Sequence, residues 1–424
     1  MLWQTVMGHP AKGLKVIGVT GTDGKTTTST MIYTMLNDAG IRTGLMTTIG
    51  YGTPEHWREN YVHMTTLPTK AMLERIKELR AEGIEWLVLE TTSHALAQNR
   101  VWGIPYSLAV MTNVTHEHLD YHGTFENYRA AKRRLFEMAV ANKAGVLQVR
   151  GVINSDDPSA DFFAEVMGPN YLRYSLNHGD ITASNVQSAG TGSEFDITVD
   201  SGDTFHAQIN LPGTFNVSNA LAAVGVGMAL ELENAEIVQG LAALKSVEGR
   251  MNAIDEGQDY AVIVDFAHTP DSFEKILSSM RSLANGRLIV MFGSAGRRDE
   301  AKRSKQGGSA GKWGDVVVVT EEDDRDIDGE GIMQQIAGGA AQEGKIVDKD
   351  LFLVHDRTAA IAFAIGQAQP GDTVLLLGKG HEKTIERADG EHPWDETGTV
   401  RAAIRARLAQ ASSQGTPIEQ TPNA

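Results

Sequence analysis

A series of short, continuous apolar runs constrains this chain more than any other feature. They fall at Lys15–Val19, Trp86–Leu89, Leu108–Met111, Gly145–Val149, Ala261–Val264, Leu288–Phe292, Val316–Val319 and Thr373–Leu377. Unbroken Val, Ile and Leu suit strands buried on both faces of a parallel sheet, where no polar face has to alternate with an apolar one. Helical stretches lie between them, among them Thr26–Asn37, Thr69–Glu82 and Tyr128–Ala141. Strand and helix in alternation predict a doubly wound α/β architecture. Polar clusters follow most of these runs, at the carboxyl ends of the expected strands, where such folds bind ligands.

The pattern changes between Tyr171 and Leu211. Alternating segments at Glu194–Val199 and Thr204–Leu211, separated by Gly, Ser, Asn and Asp, predict a small antiparallel sheet flanking the main one. A helix is expected over Asn216–Leu230, and a break near Val247–Arg250 opens a second βα series reaching about Leu408. The expected division is a short leader at 1–14, a central domain at 15–247, a Rossmann-like α/β domain at 248–410 and a polar, disordered tail at Ala411–Ala424. No internal repeat is evident.

With 38 Lys and Arg against 54 Asp and Glu, the formal charge is −16. That excess disfavours nonspecific binding to nucleic acid or anionic membrane, so an anionic ligand needs a local cradle. The chain has no cysteine, which excludes disulfides, thiolate-bound zinc, iron–sulfur clusters and thiol catalysis. No signal-peptide pattern and no apolar run of about 18 residues is present, so a soluble, cytoplasmic protein with no membrane partner is expected.

The sharpest local signal is Lys15–Thr28, KVIGVTGTDGKTTT. An apolar strand enters Gly21, Thr22, Asp23, Gly24, Lys25, Thr26 and Thr27 and leaves as a helix. Glycines let backbone wrap a phosphate, and N–H groups at the helix start point at it. Lys25 reaches the outer phosphates, and the Thr26 hydroxyl suits Mg²⁺. The loop is a short G-x-x-G-K-T-T, with Val19 where the full Walker spacing asks for glycine.

Other clusters carry the chemical candidates. Glu90 ends the strand Trp86–Leu89 and is followed by Thr91-Thr92-Ser93-His94; alone it reads as a solvated loop residue or a metal ligand. His116 and His118 follow Leu108–Met111, and His118 with Glu90 would make an oxygen/nitrogen metal site. Lys132, on a helix, reads from the residues alone as a surface lysine. Asp265 and His268 follow Ala261–Val264, with Thr269 and Pro270 placed to cap and start the next helix. The stretch 293–303, GSAGRRDEAKR, looks like a second anion-facing loop in which Arg298 is the choice for a carboxylate or phosphate. Glu322-Asp323-Asp324-Arg325 and Gly378-Lys379-Gly380-His381-Glu382 follow two further strands.

Taken together, these motifs resemble the Mur ligases, and among them the MurE type. The resemblance runs from about Met7 to about Leu408 and includes GVTGTDGKTTT, ETTSHALAQNRV, TNVTHEHLDYHG, YRAAKRRLF, LPGTFNVSNALAA, EGRM, VDFAHTPDS, GSAGRRDEAKR and LLLGKGHE. It implies a P-loop central domain followed by a Rossmann-like one, and an ATP-dependent ligase. In that chemistry a substrate carboxylate is converted to an acyl phosphate and then attacked by an amine. It implies that Thr26 and Glu90 hold one Mg²⁺, and that Glu90, His118 and a carbamylated Lys132 hold a second. Asn216, Arg250 and Asp265 match nucleotide contacts, with His268 beside them. Thr65, Thr66, Ser93 and Arg100 match contacts to a muramoyl-peptide acceptor. Arg298, Arg325, Gly378 and Glu382, with Asp323 in the same loop, match the site of the incoming amino acid.

The chain departs from the pattern twice. The central motif GHPAKGLKVIGVTG begins at Gly8, so the N-terminal domain that grips UDP is expected to be missing. The acceptor would then bind weakly, carry another handle, or be held by a separate protein. Where enzymes selecting meso-diaminopimelate show Asp-Asn-Pro-Arg, this chain has Glu322-Asp323-Asp324-Arg325. Two added carboxylates would favour an amine over a carboxylate if they face the substrate, or be indifferent if they face solvent. The retained arginine tips the expectation to meso-diaminopimelate over L-lysine. A ligase of the folylpolyglutamate type with a UDP-free acceptor and a non-catalytic ATP-binding partner are the competing readings. A dehydrogenase is excluded by the missing G-x-G-x-x-G.

Overall fold

The computed structural model describes residues 2–60, 64–144, 147–189 and 192–414. It divides into two compact units, Met1–Val247 and Glu248–Ala424.

The first unit holds strands β1 (Lys15–Thr20), β2 (Thr43–Met46), β3 (Gly50–Gly52), β4 (Trp57–Glu59), β5 (Trp86–Glu90) and β6 (Tyr106–Met111). It continues with β7 (Gly151–Asn154), β8 (Tyr171–Ser175), β9 (Ile181–Ala189), β10 (Gly192–Val199) and β11 (Thr204–Ile209). All join one sheet in the order β11-β10-β9-β8-β7-β6-β1-β5-β2-β3-β4. The strands from β9 to β2 in that order are parallel. Antiparallel pairs, β9–β10–β11 and β2–β3–β4, extend both edges. Its helices are α1 (Leu2–Val6), α2 (Lys25–Asp38), α3 (Thr69–Ala81), α4 (Ser93–Ala97) and α5 (Leu119–His122). They are followed by α6 (Phe125–Ala141), α7 (Ala160–Ala164), α8 (Thr214–Ala229) and α9 (Asn234–Ala243).

Two apolar layers explain the unbroken strand runs. Ile17, Val19, Val88, Leu108 and Val110 pack with Met31 and Met35 of α2 and Val217, Leu221 and Val224 of α8. Their neighbours Val16, Leu87, Leu89, Ala109 and Met111 pack on the other face with Leu73 and Ile76 of α3 and Leu135 and Phe136 of α6. Each fully buried Leu or Ile contributes about 1.5–3 kcal/mol by leaving water, so both faces favour apolar residues.

The second unit holds β12 (Asn252–Ala253), β13 (Ala261–Asp265), β14 (Leu288–Phe292), β15 (Val316–Val319), β16 (Leu351–Leu353) and β17 (Thr373–Leu377), with the hairpin β18 (Thr384–Arg387) and β19 (Gly390–Pro393). The main sheet runs β12-β13-β17-β14-β15-β16, and all its pairings but β12–β13 are parallel. Its helices are α10 (Pro270–Leu283), α11 (Ala301–Trp313), α12 (Gly329–Gln342), α13 (Arg357–Gln367) and α14 (Glu396–Gln414). Helix α10 starts with the expected cap, Thr269 Oγ1 accepting from Ser272 N with Pro270 in the first turn. The fully buried pair Arg357–Glu396 (2.7 Å) ties α13 to α14.

Three details differ from the sequence reading. The strand expected at Gly145–Val149 forms instead at Gly151–Asn154. Leu147 and Val149 are apolar because they pack against the core from a loop, and Gly145 and Val146 lie outside the described residues. Helix α14 runs through Gln414, into the stretch expected to be disordered; the rest of that stretch, 415–424, is outside the described residues. Lys132 is not on the surface. It is 2% exposed, on the face of α6 that also buries Tyr128, Leu135, Phe136 and Ala139. No described helix is long and apolar enough to cross a membrane.

Candidate active site

The phosphate loop joins β1 to α2. Gly21 has φ 154° and a Cβ there would lie 1.8 Å from Thr112 Oγ1; Gly24 has φ 79° and a Cβ would lie 2.3 Å from Asn219 Oδ1. Glycine is therefore required at both positions by conformation and by space. The loop following β6 laces this one down. Thr22 N donates to Asn113 O (2.7 Å), Asp23 N to Asn113 Oδ1 (3.0 Å), and Thr112 Oγ1 to Asp23 O (2.6 Å). Thr22 Oγ1 accepts from Thr115 N and meets the Tyr128 hydroxyl, each at 3.0 Å. Thr22 and Asp23 thus brace the loop with their backbone N–H groups committed. The start of α2 has no side-chain cap, Gly24 being its N-cap residue. Lys25 Nζ lies on the loop's own carbonyl, Thr22 O, at 2.7 Å.

Glu90, at the carboxyl end of β5, is 1% exposed. Its Oε2 accepts from Thr26 Oγ1 (3.0 Å) and from Thr48 N (3.1 Å). Thr48 Oγ1 also donates to Glu90 and lies 2.9 Å from Thr65 Oγ1. Thr66 Oγ1 donates to Glu90 O (2.8 Å) and accepts from Thr92 N (3.0 Å), while Arg100 Nη1 donates to Thr66 O (2.6 Å). The predicted metal pair Thr26 and Glu90 and the predicted acceptor residues Thr65, Thr66 and Arg100 thus form one hydrogen-bonded patch. Ser93 joins its edge, with Oγ 3.1 Å from His122 Nε2.

Lys132 Nζ donates to Gly21 O at 2.6 Å and lies 4.5 Å from the centre of the Tyr128 ring. Burial, and then the charge of Lys25, pull its pKa well below that of an ordinary lysine, which favours the neutral amine. His118 stands at the start of α5 with φ 55°, its side chain 42% exposed and its ring 4.7 Å from that of His94. Asn216 accepts from Asn219 Nδ2 (3.1 Å), and Asn219 Oδ1 accepts from Thr28 (3.2 Å). Thr27 is buried in the first turn of α2.

In the second unit, the Asp265 carboxylate accepts from Met251 N and Ala267 N, each at 2.7 Å, and so braces the β13 loop. Arg250 lies on the Phe266 ring at 4.6 Å, and its buried Nε has no partner among the described residues. The His268 and His381 rings flank the same phenylalanine at 4.7 and 4.8 Å. Burial, then Arg250, pull the His381 pKa down to about 3. Arg298 is exposed on the loop after β14. Asp323 Oδ1 accepts from Lys379 Nζ (2.9 Å), and the same ammonium lies 2.6 Å from Glu382 Oε2. Gly378, at φ 104°, passes Glu322 where a Cβ would meet Oε2 at 2.6 Å. Arg325 Nε donates to Glu386 Oε2 at 2.6 Å.

Two donor sets suit a cation. Thr26 and Glu90 offer hard oxygens, and Glu90 is a buried carboxylate with no ion pair among the described residues, which fits Mg²⁺. Glu321, Asp324 and His355 also converge, with ligand atoms within 4.8 Å. There, however, Arg387 already forks Glu321 at 2.9 and 2.7 Å. Thr48, Asn219 and Glu386 were not singled out from the sequence, and Lys379 entered only as a member of the Gly378–Glu382 cluster. Of the first three, Asn219 carried a usable signal, sitting one helical turn from Asn216.

Family models for the Mur ligase middle domain and for the Mur ligase, glutamate ligase domain match residues 19–227 and 249–380. The chain belongs to the Mur ligase family and is an ATP-dependent acid–amino-acid ligase. Its relatives place it with the MurE type. It is 41% identical over 406 residues to the UDP-N-acetylmuramyl-tripeptide synthetase of Roseiflexus sp. (strain RS-1), covering 94% of this chain and 80% of that one. It is 38% identical over 404 residues to the UDP-N-acetylmuramoyl-L-alanyl-D-glutamate--2,6-diaminopimelate ligase of Geobacillus thermodenitrificans (strain NG80-2), covering 94% and 81%. A solved structure of a ligase of the latter name matches at 32% identity and a TM-score of 0.67, over 94% of this chain and 79% of that one. The MurF ligase of Thermotoga maritima in complex with ADP shares the fold at 17% identity, with a TM-score of 0.66 over 97% and 85%.

Proposed function

We propose that the protein joins a diamino acid to UDP-MurNAc-L-Ala-D-Glu through an acyl phosphate, at the expense of ATP. The observation that carries this reading is the shared carboxylate. Glu90 binds Thr26 of the phosphate loop and, through Thr48, Thr65 of the acceptor-side loop. One buried group thereby fixes the distance between nucleotide and acceptor, which is what phosphoryl transfer demands of an enzyme. An acceptor carboxylate oxygen bonds to the γ-phosphorus, and the bond to the bridging oxygen of ADP breaks. The amine nitrogen then bonds to the acyl carbon, loses a proton, and inorganic phosphate leaves with the carboxylate oxygen.

Thr26, Glu90, His118 and Lys132 would hold two Mg²⁺ ions. Bound magnesium supplies neutralisation of phosphate charge. Lys132 suits carbamylation because burial favours its neutral amine, the form that adds carbon dioxide with release of a proton. The remaining N–H of the carbamate can still donate to Gly21 O. Lys25 leaves Thr22 O for the outer phosphates when nucleotide binds. ADP release with Mg-ATP, the acceptor and either meso-diaminopimelate or L-lysine, with products weighed by mass spectrometry, tests the reading. Amine-dependent ADP release and a product heavier by the amino acid less water is expected. ADP release indifferent to the amine contradicts it.

A further inference from the structure

Resting on that ligase reading, the second unit says which side chain the incoming amino acid carries. Asp323 and Asp324 do not face solvent; they are 9% and 7% exposed. Asp323 Oδ1 is held by Lys379 Nζ and by Glu386 N, both at 2.9 Å. Asp324 Oδ2 meets His355 Nε2 at 3.0 Å. Lys379 is fully buried, and although burial opposes its charge, Glu382 and Asp323 outweigh it and raise its pKa.

Arg325 is the group a side-chain carboxylate of the substrate would seek, and it is already engaged. Its Nε donates to Glu386 Oε2 and its Nη1 to Gly296 O, each at 2.6 Å. Its backbone N donates to Glu386 O at 3.0 Å. Glu386 is therefore clipped to the loop by its N–H, its C=O and its carboxylate. Across this cluster, Glu322, Asp323, Asp324, Glu382 and Glu386 meet Lys379 and Arg325, with His355 beside Asp324; Arg357 and Arg297 approach Glu322 and Glu386 but are themselves paired with Glu396 and Asp326. The surplus is negative. A further carboxylate would enter like charge and have to evict Glu386 from Arg325, leaving a carboxylate unpaired. An ammonium would be drawn in by the same surplus.

We propose that Glu386 stands where a substrate carboxylate would otherwise pair with Arg325. It is then a specificity-determining residue, and the amino acid accepted is a diamino acid ending in an ammonium with no carboxylate beside it. The retained arginine therefore does not favour meso-diaminopimelate, because its partner lies on a hairpin 61 residues away.

The test is kcat/KM for L-lysine, L-ornithine and meso-diaminopimelate in the wild type, Glu386→Gln and Glu386→Asp, with thermal unfolding of each variant. The wild type is expected to prefer lysine or ornithine by at least tenfold. Glu386→Gln is expected to move that ratio at least tenfold towards meso-diaminopimelate, through KM. Glu386→Asp, which keeps the charge, moves it less, and carries the test if the glutamine variant is unstable. A wild type that prefers meso-diaminopimelate, or a ratio unmoved in both variants, overturns the proposal while leaving the ligase reading intact. No product with any of the three amines fails the ligase reading itself.

Discussion

Replacing Gly24 by alanine probes the phosphate loop where its geometry is tightest. The backbone there is left-handed, φ 79° and ψ −9°, which costs a residue with Cβ about 1–2 kcal/mol. The new methyl would also lie 2.3 Å from Asn219 Oδ1, so Asn219 must move and loosen its bonds to Thr28 and Asn216. Each such bond is worth about 0.5–1.5 kcal/mol, and the total loss comes to about 2–5 kcal/mol. For a unit of this size that lowers Tm by roughly 4–20 °C. Gly40→Ala is the control. Its φ is 78° but nothing lies within 4 Å of the added Cβ, so only the backbone cost of about 1–2 kcal/mol applies. Calorimetry of both variants, with ADP affinity by titration, separates strain from collision. Gly24→Ala should lose clearly more Tm than Gly40→Ala and bind ADP at least about tenfold more weakly, a cost of about 1.4 kcal/mol. Equal losses of Tm, with ADP affinity intact, would refute the assignment of this loop as the phosphate cradle.

Further outcomes are expected elsewhere. Lys132→Ala should lose turnover and regain part of it with added short-chain carboxylates; turnover like that of the wild type would sink the carbamate. Glu396→Gln leaves Arg357 charged and buried without its partner and should cost the second unit about 3–5 kcal/mol in denaturant unfolding. His381 titrates near 3 in the folded protein against about 6.5 unfolded. The unfolded chain therefore binds the extra proton between these values. The stability due to neutral His381 is complete above about pH 6.5 and is lost as pH falls towards 3, by at most about 1.4 kcal/mol per unit. The stability difference between wild type and His381→Asn should follow that slope, and a difference flat with pH would show the imidazole to be solvated.

How much was legible depended on the range of the interaction. Strands such as Leu288–Phe292 announced themselves because helices cover both faces, leaving no polar position to break the run. The tight turn between β1 and α2 was legible because Gly21, Gly24, Lys25 and Thr26 are local to it. Lys132 was not, since a lysine on a helix looks the same whether its face meets water or a sheet, and only the packing of α6 decides. The β3–β4 hairpin was missed because its strands are three residues each, too short to show a period. The partners that define the site chemistry, Thr48 to Glu90, Asn219 to Gly24, Lys379 to Asp323 and Glu386 to Arg325, are joined only by folding, and no spacing in the sequence encodes them.

Transfer of oxygen from acceptor to phosphate tests the central claim most directly. With ¹⁸O in the acceptor carboxylate that receives the amine, turnover with Mg-ATP and the amino acid should yield inorganic phosphate carrying ¹⁸O, because that oxygen leaves with the phosphoryl group. Phosphate free of label, alongside a completed amide product, would contradict an acyl phosphate and the mechanism built on it.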